Sequence, residues 1–367
     1  MNRWISLGIL FVFSVPATGD DLLDLYRQAK TSDPAWLAAQ AGYQAGIEKA
    51  PQGRSLLLPT LGLSASKSES DQQVTTTTAN NTYHYGTDAY AIQLTQPLYR
   101  KQNAAAYAQG IAGANQSELE LELARQELIL RASQAYFDVL AAQDALDFVI
   151  SEKESIGKQL SLARRNFNVG NATLVDVHEA QARYDIAAAQ QITAANFLEV
   201  KKEALRVLTG NEPGTLARLE TKLDLQAPEP ADMNQWVETA VNGSQRIKSQ
   251  REAVEIARQE VEKSRGGHQP TLDLTASRAY SDAGGSVQGL AIESTTNQIG
   301  LQFQMPLYQG GGISSKVRES AARLEEANQR LDQARRQVAQ QVRESYLAVI
   351  NGVARVRALE QARVSNE

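Results

Sequence analysis

Between Gln126 and Phe167 the apolar positions advance in alternating steps of four and three: Leu128, Ala132, Ala135, Val139, Ala142, Leu146, Val149, Ile156, Leu160, Ala163 and Phe167. Lys153 is the one break in the series. This spacing predicts a coiled-coil seam inside a long helix over 102–168, in which no proline intervenes. At a rise of about 1.5 Å per residue the helix is about 100 Å long, too long for the inside of a globule. The pattern returns 210 positions later in Val338, Val342, Ser345, Val349, Gly352, Val356 and Leu359, so the chain contains a large duplication.

Ahead of each long helix the period falls to two. Leu61, Leu63 and Ala65 alternate with small polar residues, and Tyr90, Ile92 and Leu94 alternate with Ala91, Gln93 and Thr95. A β-hairpin with one apolar face is expected over 56–98. Its connection, Lys67 to Thr87, is rich in Ser, Thr, Gln and Asn and is expected to be a long exposed loop, with Tyr83 and Tyr85 meeting an aromatic girdle. The second hairpin, over 270–308, alternates Leu272 and Leu274 with polar residues, then Ile299, Leu301, Phe303 and Met305 with Gln298, Gly300, Gln302 and Gln304.

The remaining elements complete two repeats, 20–210 and 231–367, joined by a linker over 211–230 that holds Pro213, Pro228 and Pro230. Each opens with helix; in the first, Asp33 caps a new start at Pro34. After Phe167 the run Asn168-Val169-Gly170-Asn171 ends the long helix with a left-handed residue, and a return helix is expected over 174–208. The second repeat has its long helix over 314–367 and no return helix, since the counterpart of Gly170 would fall beyond Glu367. The expectation is a partial sequence or truncated gene product whose second repeat is incomplete.

Composition narrows the class. A net charge of -5, dispersed over mixed-sign helices, offers no basic patch for nucleic acid. There is no cysteine, hence no disulfide or thiolate metal site. Arg3, the apolar run from Trp4 to Val15 and the small residues Ala17 and Gly19 read as a signal peptide over 1–19. No later run is apolar enough for a membrane-spanning helix, so an exported chain that enters a membrane does so as strands. Four strands with open edges cannot stand in lipid; two copies would give eight and three would give twelve, both closable barrels. Ile92, Leu94, Leu272, Leu274, Ile299, Leu301 and Phe303 would then face lipid, and Gln93, Thr95, Gln298, Gln302 and Gln304 the lumen.

The sequence closely resembles the TolC family of outer-membrane channel-tunnels over nearly all of residues 20–367. The resemblance rests on Leu57-Leu58-Pro59, Gln93-Leu94-Thr95-Gln96, Ala135-Tyr136-Phe137, Phe167-Asn168-Val169-Gly170, Asp176-Val177 and Leu208-Thr209-Gly210-Asn211. It continues through His268 to Ser277 and Pro306-Leu307-Tyr308-Gln309-Gly310-Gly311. It implies an α+β membrane protein: a homotrimer whose four strands per chain form one twelve-stranded β-barrel in outer-membrane lipid, continuing into an antiparallel α-helical coiled-coil barrel across the periplasm. The implied role is a passive exit duct for efflux of small molecules or type I protein secretion. Its implied partners are a periplasmic adaptor and an inner-membrane efflux or ABC transporter.

By the same resemblance Asp176 is similar to an aspartate that helps hold the periplasmic aperture closed; its other reading is a first-turn carboxylate at a helix N-terminus. Val169, Gly170 and Asn171 resemble the helix tip against which adaptors pack, or are simply a helix terminator. Lys153 is either a register device or a side chain that snorkels to water. His84, His178 and His268 have no second ligand or nucleophile at helical spacing, so neither catalysis nor a cofactor is expected. The alternative to a channel is a periplasmic coiled-coil adaptor or structural protein, which would need no lipid-facing alternation.

Overall fold

In a computed structural model, residues 20–219, 225–286 and 290–366 are described. The expected signal peptide and part of the linker lie outside them. The elements run α1 (Leu22–Ser32), α2 (Pro34–Ile47), α3 (Lys49–Ser55), β1 (Thr60–Thr75), β2 (Asn80–Tyr99), α4 (Lys101–Asn168) and α5 (Leu174–Thr209). They continue with α6 (Met233–Gly243), α7 (Gln245–Arg265), β3 (Thr271–Ala283), β4 (Ile292–Gln304) and α8 (Gly312–Asn366). Two compact units divide the chain: Met1–Ala39 with Ala124–Asp224, and Gln40–Leu123 with Leu225–Glu367.

In the first unit the predicted seam is the core. Leu128, Ala132, Val139, Ala142 and Leu160 are buried, and Tyr136, Val139 and Leu140 cluster with Leu25 of α1 and with Leu198 and Leu205 of α5. Lys153 resolves as a cross-link between helices: its Nζ donates to Gln191 Oε1 at 2.9 Å and lies over the Tyr184 ring, so it is not snorkelling. Asp33 caps α2 by accepting from the Trp36 N–H at 3.1 Å, and its buried carboxylate also accepts from Arg131 at 2.5 Å. Residues after α5 fold back: Asp20 and Leu216 form a β-bridge, the Tyr136 hydroxyl donates to the Ala217 carbonyl at 2.7 Å, and Arg218 pairs with Asp147 at 2.7 Å.

In the second unit α6 and α7 pack on α8 around Ile247, Val254 and Leu331. The segment before α6 is held along α8, where the Tyr346 hydroxyl donates to the Ala231 carbonyl at 2.8 Å and Arg357 donates to the Leu225 carbonyl at 3.0 Å. These two anchors repeat those on α4, since Tyr346 follows Tyr136, and Arg357 follows Asp147, by the same 210 positions. Glycines let α3 lie close on α4: a Cβ on Gly53 would come within 2.9 Å of the Tyr107 Cα.

All four strands form one antiparallel sheet in the order β1-β2-β3-β4. The sequence reading of a long loop from Lys67 to Thr87 is overturned. β1 and β2 stay paired through Thr75 and Asn80, leaving only 76–79 as a turn. Ser, Thr, Gln and Asn there satisfy their backbone groups in the ladder without any apolar face to advertise the strands. Tyr83 and Tyr85 accordingly lie on the face that carries Gln93, and the paired aromatics of the apolar face are Tyr90 and Tyr280, stacked at 4.6 Å.

Candidate functional site

Register segregates the sheet into two faces. On one lie Leu61, Leu63, Tyr90, Ile92, Leu94, Leu272, Leu274, Ile299, Leu301 and Phe303, aligned across the rungs Leu61–Leu94–Ala276–Ile299 and Leu272–Phe303. On the other lie Gly62, Gln93, Ser277 and Gln298 in one rung, Thr60, Thr95, Thr275 and Gly300 in the next, then Gln302 and Gln304 opposite Asp273 and Thr271. The residues expected to face lipid thus share one face of the sheet, and those expected to line the lumen share the other. Leu61, Leu63, Ile299, Leu301 and Phe303 are all more than half exposed, so this chain alone leaves the apolar face uncovered.

The apolar band crosses the sheet obliquely. On β1 it spans the rungs of Leu61, Leu63 and Ala65; on β4 it spans those of Ile299, Leu301 and Phe303, two rungs nearer the helices. A shift of about four residues at ~3.3 Å, over three strand spacings of ~4.8 Å, corresponds to strands tilted by about 40° to the normal of the band. Closed transmembrane barrels have strand tilts of about 35–45°.

Where the sheet meets the helices, Arg100 grips Asp273 with two hydrogen bonds, Nε to Oδ1 at 2.8 Å and Nη2 to Oδ2 at 2.5 Å. The Asp273 side chain is 7% exposed and Arg100's is 39%. A cavity of about 550 Å³ opens beside the pair, lined by Gln102, Glu260, Lys263, Gly267, Gln304 and Lys316 among others. Sequence reading missed this ion pair because its partners are 173 positions apart.

At the other end of α4, Gly170 takes φ 80° and closes the turn into α5. Asp176 sits in the first turn of α5, where it forms a reciprocal cap with Thr173. The Thr173 N–H and hydroxyl each donate to its carboxylate at 2.7 Å, and the Asp176 N–H donates to the Thr173 hydroxyl at 3.3 Å. The Thr173 hydroxyl, and then its N–H, hold the Asp176 carboxyl below the usual carboxylate range. Val169 and Asn171 are exposed beside Gly170. The arrangement supplies a cap and an open apolar tip, and Glu179 and Arg183 line the same hollow as Asp176.

The histidines lie apart. His84 on β2 contacts Asp71, His178 is exposed on α5 and His268 follows α7. Among the described residues no cluster of His, Cys, Asp or Glu could hold a metal ion, and no helix is long and apolar enough to cross a membrane.

Comparison with known proteins agrees with this geometry. The chain matches the profile of the outer membrane efflux protein family over residues 25–211 and 236–367. It is 33% identical to outer membrane protein TolC of Escherichia coli, covering 96% of this chain and 72% of that protein. To the alkaline protease secretion protein AprF of Pseudomonas aeruginosa it is 32% identical, over 98% of this chain and 76% of that one. Among solved structures, the Campylobacter jejuni CmeC outer membrane channel superposes with a TM-score of 0.79 at 19% identity, over 93% of this chain and 74% of that one. The outer membrane protein VceC of Vibrio cholerae gives 0.76 at 21% identity, over 93% and 82%. The family model is that of outer membrane efflux proteins and TolC is an outer membrane protein, which decides against the adaptor alternative. A four-stranded sheet with one apolar face, long paired helices and this kinship place the chain in the outer membrane efflux protein family.

Proposed function

We propose that three copies of this chain close into one twelve-stranded barrel in the outer membrane and act as a passive exit duct, for small molecules or for proteins secreted by the type I route. The segregation of the sheet into faces carries the reading, together with the open edges of β1 and β4. An open edge in lipid leaves backbone groups unpaired, and closure removes it. Ile92, Leu94, Leu272, Leu274, Ile299, Leu301 and Phe303 then face lipid, and Gln93, Thr95, Gln298, Gln302 and Gln304 line a wet lumen. The relatives named for protease secretion support the protein-export branch.

In the same reading the chain comprises two repeats, 20–210 and 231–367, and catalyses nothing; transport is powered by an inner-membrane transporter coupled through a periplasmic adaptor. Val169, Gly170 and Asn171 form the tip that the adaptor meets, and Asp176 belongs to the aperture. The chain has no native cysteine, so engineered ones give a clean test. Single cysteines scanned along β1 against others along β4 are expected to yield crosslinked dimers and trimers on non-reducing gels. Crosslinks confined to single chains, or sedimentation of the extracted protein as a monomer, would refute closure.

A further inference from the structure

We propose that Arg278 binds the phosphate of a lipid headgroup in the outer leaflet, one site per protomer; the proposal rests on the reading of the apolar face as lipid-facing. Arg278 lies on that face, in the rung Leu63–Ile92–Arg278–Asn297. It is exposed and, among the described residues, has no hydrogen-bond or ion-pair partner. Below it, toward the helices, the rung Leu61–Leu94–Ala276–Ile299 is apolar throughout. Above it come Tyr90 and Tyr280 with their rings stacked. The next rung, about 13 Å away along the strand at ~3.3 Å per residue, holds Lys67, Asp88, Asp282 and Glu293.

Those carboxylates do not serve Arg278. Asp88 pairs with Lys67 at 3.2 Å, Glu293 accepts from the Tyr280 hydroxyl at 2.9 Å, and Asp282, four residues along the strand, makes no ion pair with Arg278. The guanidinium thus stands at the upper rim of the apolar band with no anion of its own, and an unpaired arginine against hydrocarbon is costly. A phosphate at headgroup depth matches its planar fork bidentately, while acyl chains beneath would lie on Ile92, Leu94 and Leu63. The rim is on the side of the 76–79 turn, away from the helices, which makes the leaflet the outer one. The Asn297 amide and the Tyr90 hydroxyl flank the site, both without partners among the described residues.

The test uses the full chain, extracted in mild detergent and titrated with bis-phosphorylated lipid A or its dephosphorylated form, bound lipid being counted by native mass spectrometry. Arg278→Gln is expected to weaken binding of the phosphorylated lipid about fivefold, the effect of one basic residue at a membrane surface. It should leave the dephosphorylated lipid unaffected, and Arg278→Lys should retain most of the affinity. Lys67→Gln, whose charge is already paired, should bind as the parent does. Equal affinity in parent and Arg278→Gln would overturn the proposal. So would displacement of the lipid by inorganic phosphate at equal concentration, which would mark a free-anion site. Leu301→Cys separates the two levels of the argument. If a lipid-soluble maleimide cannot reach it, the face assignment fails; if it reaches it while Arg278→Gln binds normally, only the headgroup site fails.

Discussion

Asp176 caps α5 in the structure and belongs to the aperture in the proposed function, and the cap makes the two roles separable by experiment. Thr173→Val removes the hydroxyl that caps α5 but leaves the carboxylate, whereas Asp176→Asn removes the charge. If Asp176 closes an aperture, Asp176→Asn should raise single-channel conductance in planar bilayers and Thr173→Val should not; equal effects of both would assign it to the cap alone. Both Asp176 and Asp138 have carboxyls held below the unfolded value of about 3.9, Asp138 chiefly by the hydrogen bond from Lys201 and then by that from Gln134. A depressed native pKa gives stability that is complete above the unfolded pKa and is lost as pH falls through the native one. Protection of the α5 amides in hydrogen exchange should therefore hold at neutral pH and decline only below about pH 4. Asp138→Asn should remove its share of that decline. The Arg100–Asp273 pair is of a different kind, with one partner buried and the other half-exposed. Asp273→Ala should cost about 2 kcal/mol in denaturant unfolding, less than a fully buried pair because water reaches Arg100.

The helices of this chain were easier to read than its strands. A heptad over forty residues survives any local irregularity, so α4 begins and ends within a residue of the expected 102–168, and Gly170 terminates it as its lack of a Cβ allows. The hairpin was legible only where one face is apolar. From Lys67 to Thr87 both faces are polar, and strand there is fixed by backbone pairing across the sheet, which no single segment encodes. Contacts between distant segments, such as Arg100 with Asp273 and Lys153 with Gln191, were invisible for the same reason. The faces of the sheet were legible because alternation needs no knowledge of the partner strand. Close helix approach gives a further expectation. Gly53→Leu should drive α3 off α4 and lower the melting temperature by several degrees, a loss of the order of 1–3 kcal/mol for overpacking. Gly42→Ala, where nothing lies within 4 Å, should cost nothing measurable in the same melt.

For the molecule as a whole, the duplication we propose bears on the segment between the two repeats. That segment occurs once, yet Tyr136 and Tyr346, the same residue in each copy, hold it at Ala217 and Ala231. Asp147 and Arg357 hold it again, through Arg218 and through the Leu225 carbonyl. The backbone carbonyl is what both tyrosines recognise, so the side chains around it are free to differ while the anchor stays. Tyr136→Phe should destabilise by about 1 kcal/mol for one hydrogen bond, the more exposed Tyr346→Phe by less, and the double variant by their sum. The two ends of the segment would then be a matched pair of moorings, one on α4 and one on α8.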